Sequence, residues 1–142
     1  MTKLTIDAAR TIIREALAKS HEMGLKPMSV IVLDAGGTPL AFEREDGAAP
    51  GRYAIAEGKA YGAVMLGMPG SAQMARAEAQ HYFMTAANGA FGGKVVPVPG
   101  GVIVRGEDGS VLGAVGVTGD TSDNDATAAL AGIEAAGLKG DA

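Results

Sequence analysis

The chain contains no cysteine and no tryptophan, and aromatic residues make up only 4% of its 142 positions. The lack of cysteine excludes disulfides, thiolate nucleophiles and Cys-ligated zinc. No apolar run reaches the roughly 20 residues that a membrane-spanning helix needs. Basic clusters are also missing: 12 Lys and Arg stand against 16 Asp and Glu, a net charge of -4. That balance argues against a nucleic-acid partner. The N-terminal stretch "MTKLTIDAARTIIREALAK" is charged and amphipathic and lacks the continuous apolar centre of a signal peptide, so the expected compartment is the cytoplasm. No G-x-G-x-x-G opens a helix after a strand, and neither a phosphate-loop motif nor a G-x-S-x-G elbow is present. Dinucleotide, P-loop and serine-elbow chemistry therefore have no support.

What is abundant is small. There are 22 glycines, and much of the 47% hydrophobic fraction is Ala and Val. Small side chains let backbones approach closely, but each buries little area. Self-association into a homo-oligomer is the expected source of further burial. The length fits a single domain over residues 1–142, long enough to fold without cross-links.

Apolar spacing predicts a helix over residues 5–23, with Thr5 as N-cap and Gly24 as terminator. The run Val30 to Leu33 reads as a strand buried on both faces. Asp34-Ala35-Gly36-Gly37 then reads as a hairpin turn into a half-buried strand carrying Leu40 and Phe42. A second helix is expected from Tyr53 to about Leu66, with Gly58 and Gly62 on one face for tight packing. A third, capped by Ser71, runs to about Phe83, and residues 85–94 read as a Gly-rich loop. The stretch "VVPVPGGVIV" from Val95 to Val104 has strand-like flanks around two prolines and two glycines. Proline cannot sit in a central ladder, so Pro97 and Pro99 belong to a shaped loop leading into a second hairpin that turns at residues 106–109. A last helix begins at Ser122, with Asp125 completing a capping-box-like start, and stops at Gly137. Two hairpins separated by helices give an α+β fold, an antiparallel sheet flanked by helices.

Three groups of residues carry candidate chemistry. Asp120, Asp123 and Asp125 fail the EF-hand spacing and read more simply as helix capping, so no metal site is expected. His81, beside Tyr82 and near Met84, is either a polar helix residue or a contact to a ligand such as haem. Lys59, set among Gly58, Ala60, Ala56 and Gly62, is either a desolvated base or anion anchor, or a lysine reaching water from a helix edge.

Taken together, the segments "SVIVLDAGGTPLAFEREDGA", "AIAEGKAYGAV", "GGKVVPVPGGVIV" and "GSVLGAVGVTGDTSDNDATAALAG" resemble the GlcG/HbpS family of haem-binding-like domains. The same domain also forms the C-terminal part of PduO-type corrinoid adenosyltransferases. The resemblance runs from about Leu4 to Gly137. Its recurrent residues fall here on Asp34, Gly36 or Gly37, Arg44, Asp46, Lys59 and Asp125. Two positions depart from the pattern. Ile103 stands where relatives carry a proline after the double glycine, and Glu45 stands where they often carry methionine. The resemblance implies a profilin-like fold and a symmetric homo-oligomer with a small-molecule or tetrapyrrole pocket, haem being the implied cofactor. The ligand-binding residues would then be Lys59, Arg44, His81 and Tyr82, with exposed backbone N–H groups at Gly100 and Gly101 meeting carboxylates. The alternative is a cofactor-independent hydrolase, lyase or isomerase acting on a small carboxylated metabolite of a catabolic pathway. In that reading Lys59, Arg44, Asp34 and Asp125 would do the chemistry.

Overall fold

A computed structural model describes residues 2–142. Five helices and five strands follow one another as α1 (Ile6–Glu22), β1 (Ser29–Asp34), β2 (Pro39–Arg44), α2 (Arg52–Leu66), α3 (Gly70–Ala79), α4 (His81–Ala90), β3 (Gly101–Arg105), β4 (Val111–Thr118), α5 (Ser122–Ala135) and β5 (Lys139–Asp141). The strands form one antiparallel sheet in the order β2-β1-β4-β3-β5. Alternation along the strands divides their side chains between two layers. Val30, Val32, Val102, Val104, Val115 and Val117 point to α1 and α5, where Ile12, Ile13 and Ile133 complete the larger core. Ile31, Leu33, Ile103 and Ala114 point the other way, onto Ala56, Ala60 and Ala63 of α2. The α+β fold with helices on both faces of the sheet is thus present.

The second layer is thin because α2 rests almost backbone to backbone on the sheet. A Cβ on Gly101 would strike the Lys59 carbonyl, and one on Gly116 would strike the Ala56 carbonyl. These two glycines are paired neighbours in β3 and β4. They form the floor on which the small-residue face of α2 lies.

Four details differ from the sequence reading. Residues 85–94 are not mainly a loop: α4 continues to Ala90, and the turn that follows is short. Gly92 and Gly93 have left-handed φ values of 72° and 78°, so they terminate a helix rather than fill a long connection. The helical segment breaks earlier, at Gln80, which closes α3 and opens α4 with φ -143° and ψ 65°. The caps also shift by one or two residues. Pro69 precedes α3 and Thr121, accepting from the Asn124 N–H, caps α5, so neither Ser71 nor Ser122 is a cap. Finally, β5 was not foreseen. Three residues are too few to show alternation, and the strand is held by pairing to β3 and by Arg105, whose Nε and Nη2 both donate to Asp141 Oδ2 at 3.0 and 2.9 Å.

Residues 95–100 stay outside the ladder, and β3 starts only at Gly101, as the prolines require. Ile103, the departure from the family pattern, is fully buried in the layer under α2 and pairs with Ala114 and Asp141. It fills core and shapes no pocket.

Packing this close predicts a sharp contrast between glycines. Gly116→Ala should lower unfolding free energy by about 1–3 kcal/mol or more, because α2 must move off the sheet. Gly89→Ala, where an added methyl meets nothing, should raise it by about 0.5–1 kcal/mol. Urea midpoints of the two variants check both signs.

Candidate functional site

The sheet ends at Ser29 of β1, Gly101 of β3 and Thr118 of β4, and the polar chemistry of the fold gathers there. Lys59 leaves α2 on the side facing the sheet. Its side chain passes over Gly100, where a Cβ would stand 2.8 Å from Nζ and 3.0 Å from Cδ. Gly100 has φ 114°, which also favours glycine. Nζ then donates to the Val117 carbonyl and to Asp125 Oδ2, both at 3.0 Å. The other carboxylate oxygen, Oδ1, accepts from the Asp120 N–H at 3.0 Å. The side chains of the pair are 3% and 1% exposed.

Burial pushes the Lys59 ammonium below the ordinary lysine range, while the Asp125 carboxylate acts to hold it up; the Arg52 charge pushes it further down. Of the two sequence readings of Lys59, the desolvated one therefore describes its surroundings. Two of its three N–H donors are taken up from within the chain, by the Val117 carbonyl and the Asp125 carboxylate.

The other residues singled out from sequence do not converge on this pair. Asp34 sits at the opposite end of β1, about 16 Å away along the strand at the usual rise per residue. Its Oδ1 accepts from the N–H groups of Gly36 and Thr38 at 2.9 and 3.0 Å, so it builds the hairpin turn. Arg44 is exposed and pairs in register with Ser29. It borders an open groove of about 590 Å³ whose walls include Leu17, His21, Leu25 and Pro27. The unusual Glu45 lies in the same groove. Its carboxylate engages His21 of α1 and accepts from the Met28 N–H at 2.8 Å, so it ties α1 to the start of β1. Gly100 and Gly101 are buried against Lys59 and are not exposed donors, which corrects the expectation that their N–H groups stand free for an anion. Close packing, rather than ligand approach, is what these glycines allow.

His81 and Tyr82 lie on α4 and do not join the Lys59–Asp125 pair. Both are exposed, Tyr82 by 64%, and their rings meet edge to face with centroids 5.9 Å apart. His81 borders a shallow, largely apolar groove of about 250 Å³ with Met84, Asn88, Val95 and Pro97. The acidic cluster does not act as a set of caps: Thr121 caps α5, and Asp125 does not complete a capping box at Ser122. Asp120 accepts from the N–H groups of Lys26 and Thr121 and from the Asn124 side chain, and these bonds hold its carboxyl down at about 2. Asp125 turns inward to Lys59.

Sequence reasoning missed Arg52, Ser29 and Thr118. Arg52 Nη1 donates to Thr118 Oγ1 at 2.7 Å, and Thr118 pairs in register with Ser29. No local motif links these residues; strand register alone assembles them. Among the described residues, no helix is long and apolar enough to cross a membrane.

The family described as "Haem degrading protein HbpS-like" matches residues 4–134. This chain belongs to the HbpS-like family. A crystal structure of HbpS is 31% identical, with a TM-score of 0.78 over 94% of this chain and 90% of that one. A double mutant of Streptomyces reticuli HbpS gives 30% identity and a TM-score of 0.79 over 94% and 87% of the two chains. The PduOC chain, crystallised as a haem complex, has a TM-score of 0.86 over 99% of both chains at 23% identity, a likeness of fold. No curated protein sequence matches the chain.

Two outcomes test the electrostatics. Lys59→Met strands a buried carboxylate and Asp125→Leu strands a buried ammonium, so each should cost about 3–5 kcal/mol. The double variant should lose clearly less than the sum, and denaturant unfolding of all four proteins measures this coupling; strict additivity would refute a coupled pair. For Asp120 the folded carboxyl titrates below its usual 3.8. Its stabilisation is complete above that value and disappears as pH falls through about 2. The stability advantage of the wild type over Asp120→Asn should close over that window, with the carboxyl titration followed by NMR.

Proposed function

We propose that the protein is a homo-oligomeric binding protein for haem or a related anionic ligand. The observation that carries this reading is the HbpS-like match over residues 4–134, together with HbpS structures 30–31% identical over 94% of the chain. The surface supports it in two ways. The groove beside His81, at about 250 Å³, falls below the roughly 300–1,000 Å³ of pockets that enclose a ligand by themselves. A flat macrocycle resting there would need a second copy to cover it. The α3–α4 arm is where such a copy would sit: α4 packs on α3 and leaves Tyr82 outward, with Met74 of α3 also exposed.

The donor set along α4 fits haem. An exposed imidazole at the edge of an apolar groove is a ligand that haem iron takes, and Met84 lines the same groove. His81 and Met84 would be the residues available to hold the iron, with the exposed Tyr82 beside them. When bound, the haem supplies the iron and its redox chemistry. No observation gathers Lys59, Arg44, Asp34 and Asp125 into one active site, so the enzyme reading has no comparable support.

Titration with haemin should give a saturable Soret shift, reduced or displaced in His81→Ala, while sedimentation shows a defined assembly larger than one chain. A haemin response no different from that of a non-binding control protein would end the haem reading.

A further inference from the structure

The start of α2 lacks the groups that usually complete a helix N-terminus. Its N-cap is Gly51, with no side-chain cap, and no acidic residue lies in the first turn. The N–H groups of Tyr53 and Ala54 have no acceptor among the described residues. Such an end carries a partial positive charge aimed outward. Arg52 stands at the same place. Nη1 is fixed on Thr118 Oγ1 at 2.7 Å, which orients the planar guanidinium. Its remaining N–H groups have no acceptor, and no carboxylate lies within 4 Å of Arg52 or Arg44 among the described residues.

A second and independent observation comes from beneath the helix. Ser29 is fully buried and its hydroxyl has no hydrogen-bond partner. Ile31 and Leu33 of β1 pack on the α2 side of the sheet, so Ser29, two residues before Ile31, faces the same layer. Its neighbour across the ladder is Thr118, whose hydroxyl already holds Arg52. The unsatisfied hydroxyl therefore faces the first turn of α2 beside the guanidinium. A buried polar group without a partner is uncommon and calls for an explanation.

We propose that Arg52, Ser29 and the Tyr53 and Ala54 N–H groups form a binding site for a carboxylate. A carboxylate matches a guanidinium edge bidentately, accepts from helix N-terminal amides, and can take the Ser29 hydroxyl as donor. The source is either a small free carboxylic acid or a haem propionate; the second alternative rests on the haem reading above, and the first does not.

The test is an NMR titration of the full chain with sodium succinate at constant ionic strength, followed at the Tyr53, Ala54 and Ser29 amides. Saturable shifts are expected at these residues. Arg52→Met should weaken succinate at least ~10-fold, because a charge-assisted pair is lost. Ser29→Ala should weaken it while leaving the unfolding midpoint unchanged or raised, since it removes a hydroxyl that has no partner in the free protein. That split distinguishes a binding role from a structural one. Arg52→Lys, which keeps the charge, should lie between Arg52→Met and the wild type. No saturable response, or equal responses in wild type, Arg52→Met and Ser29→Ala, would overturn the site. Haemin and its dimethyl ester distinguish the sources. Weaker binding of the ester by wild type, but not by Arg52→Met, assigns the site to a propionate. Equal binding of both forms, with succinate saturating, assigns it to a free acid. Succinate binding that persists in a protein with no affinity for haemin supports the site and refutes the haem reading.

Discussion

One ion pair sets the arrangement of the whole domain. Lys59 comes from the helix on one face of the sheet and Asp125 from the first turn of a helix on the other, and they meet at the sheet's end. Neither charge reaches water, so each tolerates burial only through the other and through the Val117 carbonyl and Asp120 N–H that complete the set. The lysine reaches this point because the chain has no side chain at Gly100, and α2 comes low enough because there is none at Gly101 or Gly116. The glycines and the ion pair are therefore one device. Enlarge a glycine and the helix rises; raise the helix and the lysine no longer spans the gap.

The same device explains what the sequence could and could not reveal. The antiparallel sheet and its helices were legible because Val30–Leu33 is a continuous apolar run and the Pro97-Val98-Pro99 segment cannot enter a ladder. Lys59 stood out because a lysine among Ala and Gly is out of place on a surface helix. Asp125 stood out as part of a helix start and through the family resemblance, but its pairing with Lys59 was not legible, since 66 residues separate the two. Residues 85–94 read as a loop because Asn88 and three glycines lower helix propensity, yet Asn88 is used tertiarily: its side-chain carbonyl accepts from the Val95 N–H. Three-residue β5 left no periodic trace at all. The Arg52–Thr118–Ser29 grouping depends on register between strands nearly ninety positions apart, which composition and spacing do not encode.

Glu45 shows how a departure from a family pattern can be absorbed. A carboxylate at a position often held by methionine ought to add charge to a site. Instead it binds the Met28 N–H and His21, so the charge is spent on holding α1 to the sheet beside an open groove. Ile103 behaves similarly, turning a position of restricted backbone into ordinary buried strand. Both substitutions consolidate the single-chain fold.

That consolidation bears on where a ligand can bind. The interior at the Lys59 end is closed by its own ion pair, and the two buried glycines that might have offered N–H groups are pressed against the lysine. The fold leaves other groups incompletely satisfied or exposed: the first turn of α2 with Arg52, the buried Ser29 hydroxyl, and the outward face of α4 with His81 and Tyr82. The first two share one end of the sheet, whereas α4 belongs to an arm that touches the rest of the domain mainly through α3. The anchor is held by the strand register at the sheet's end. The arm is held by close contact of Gly70 with the Val98 carbonyl, by the buried Gln73 and by the Asn88–Val95 bond.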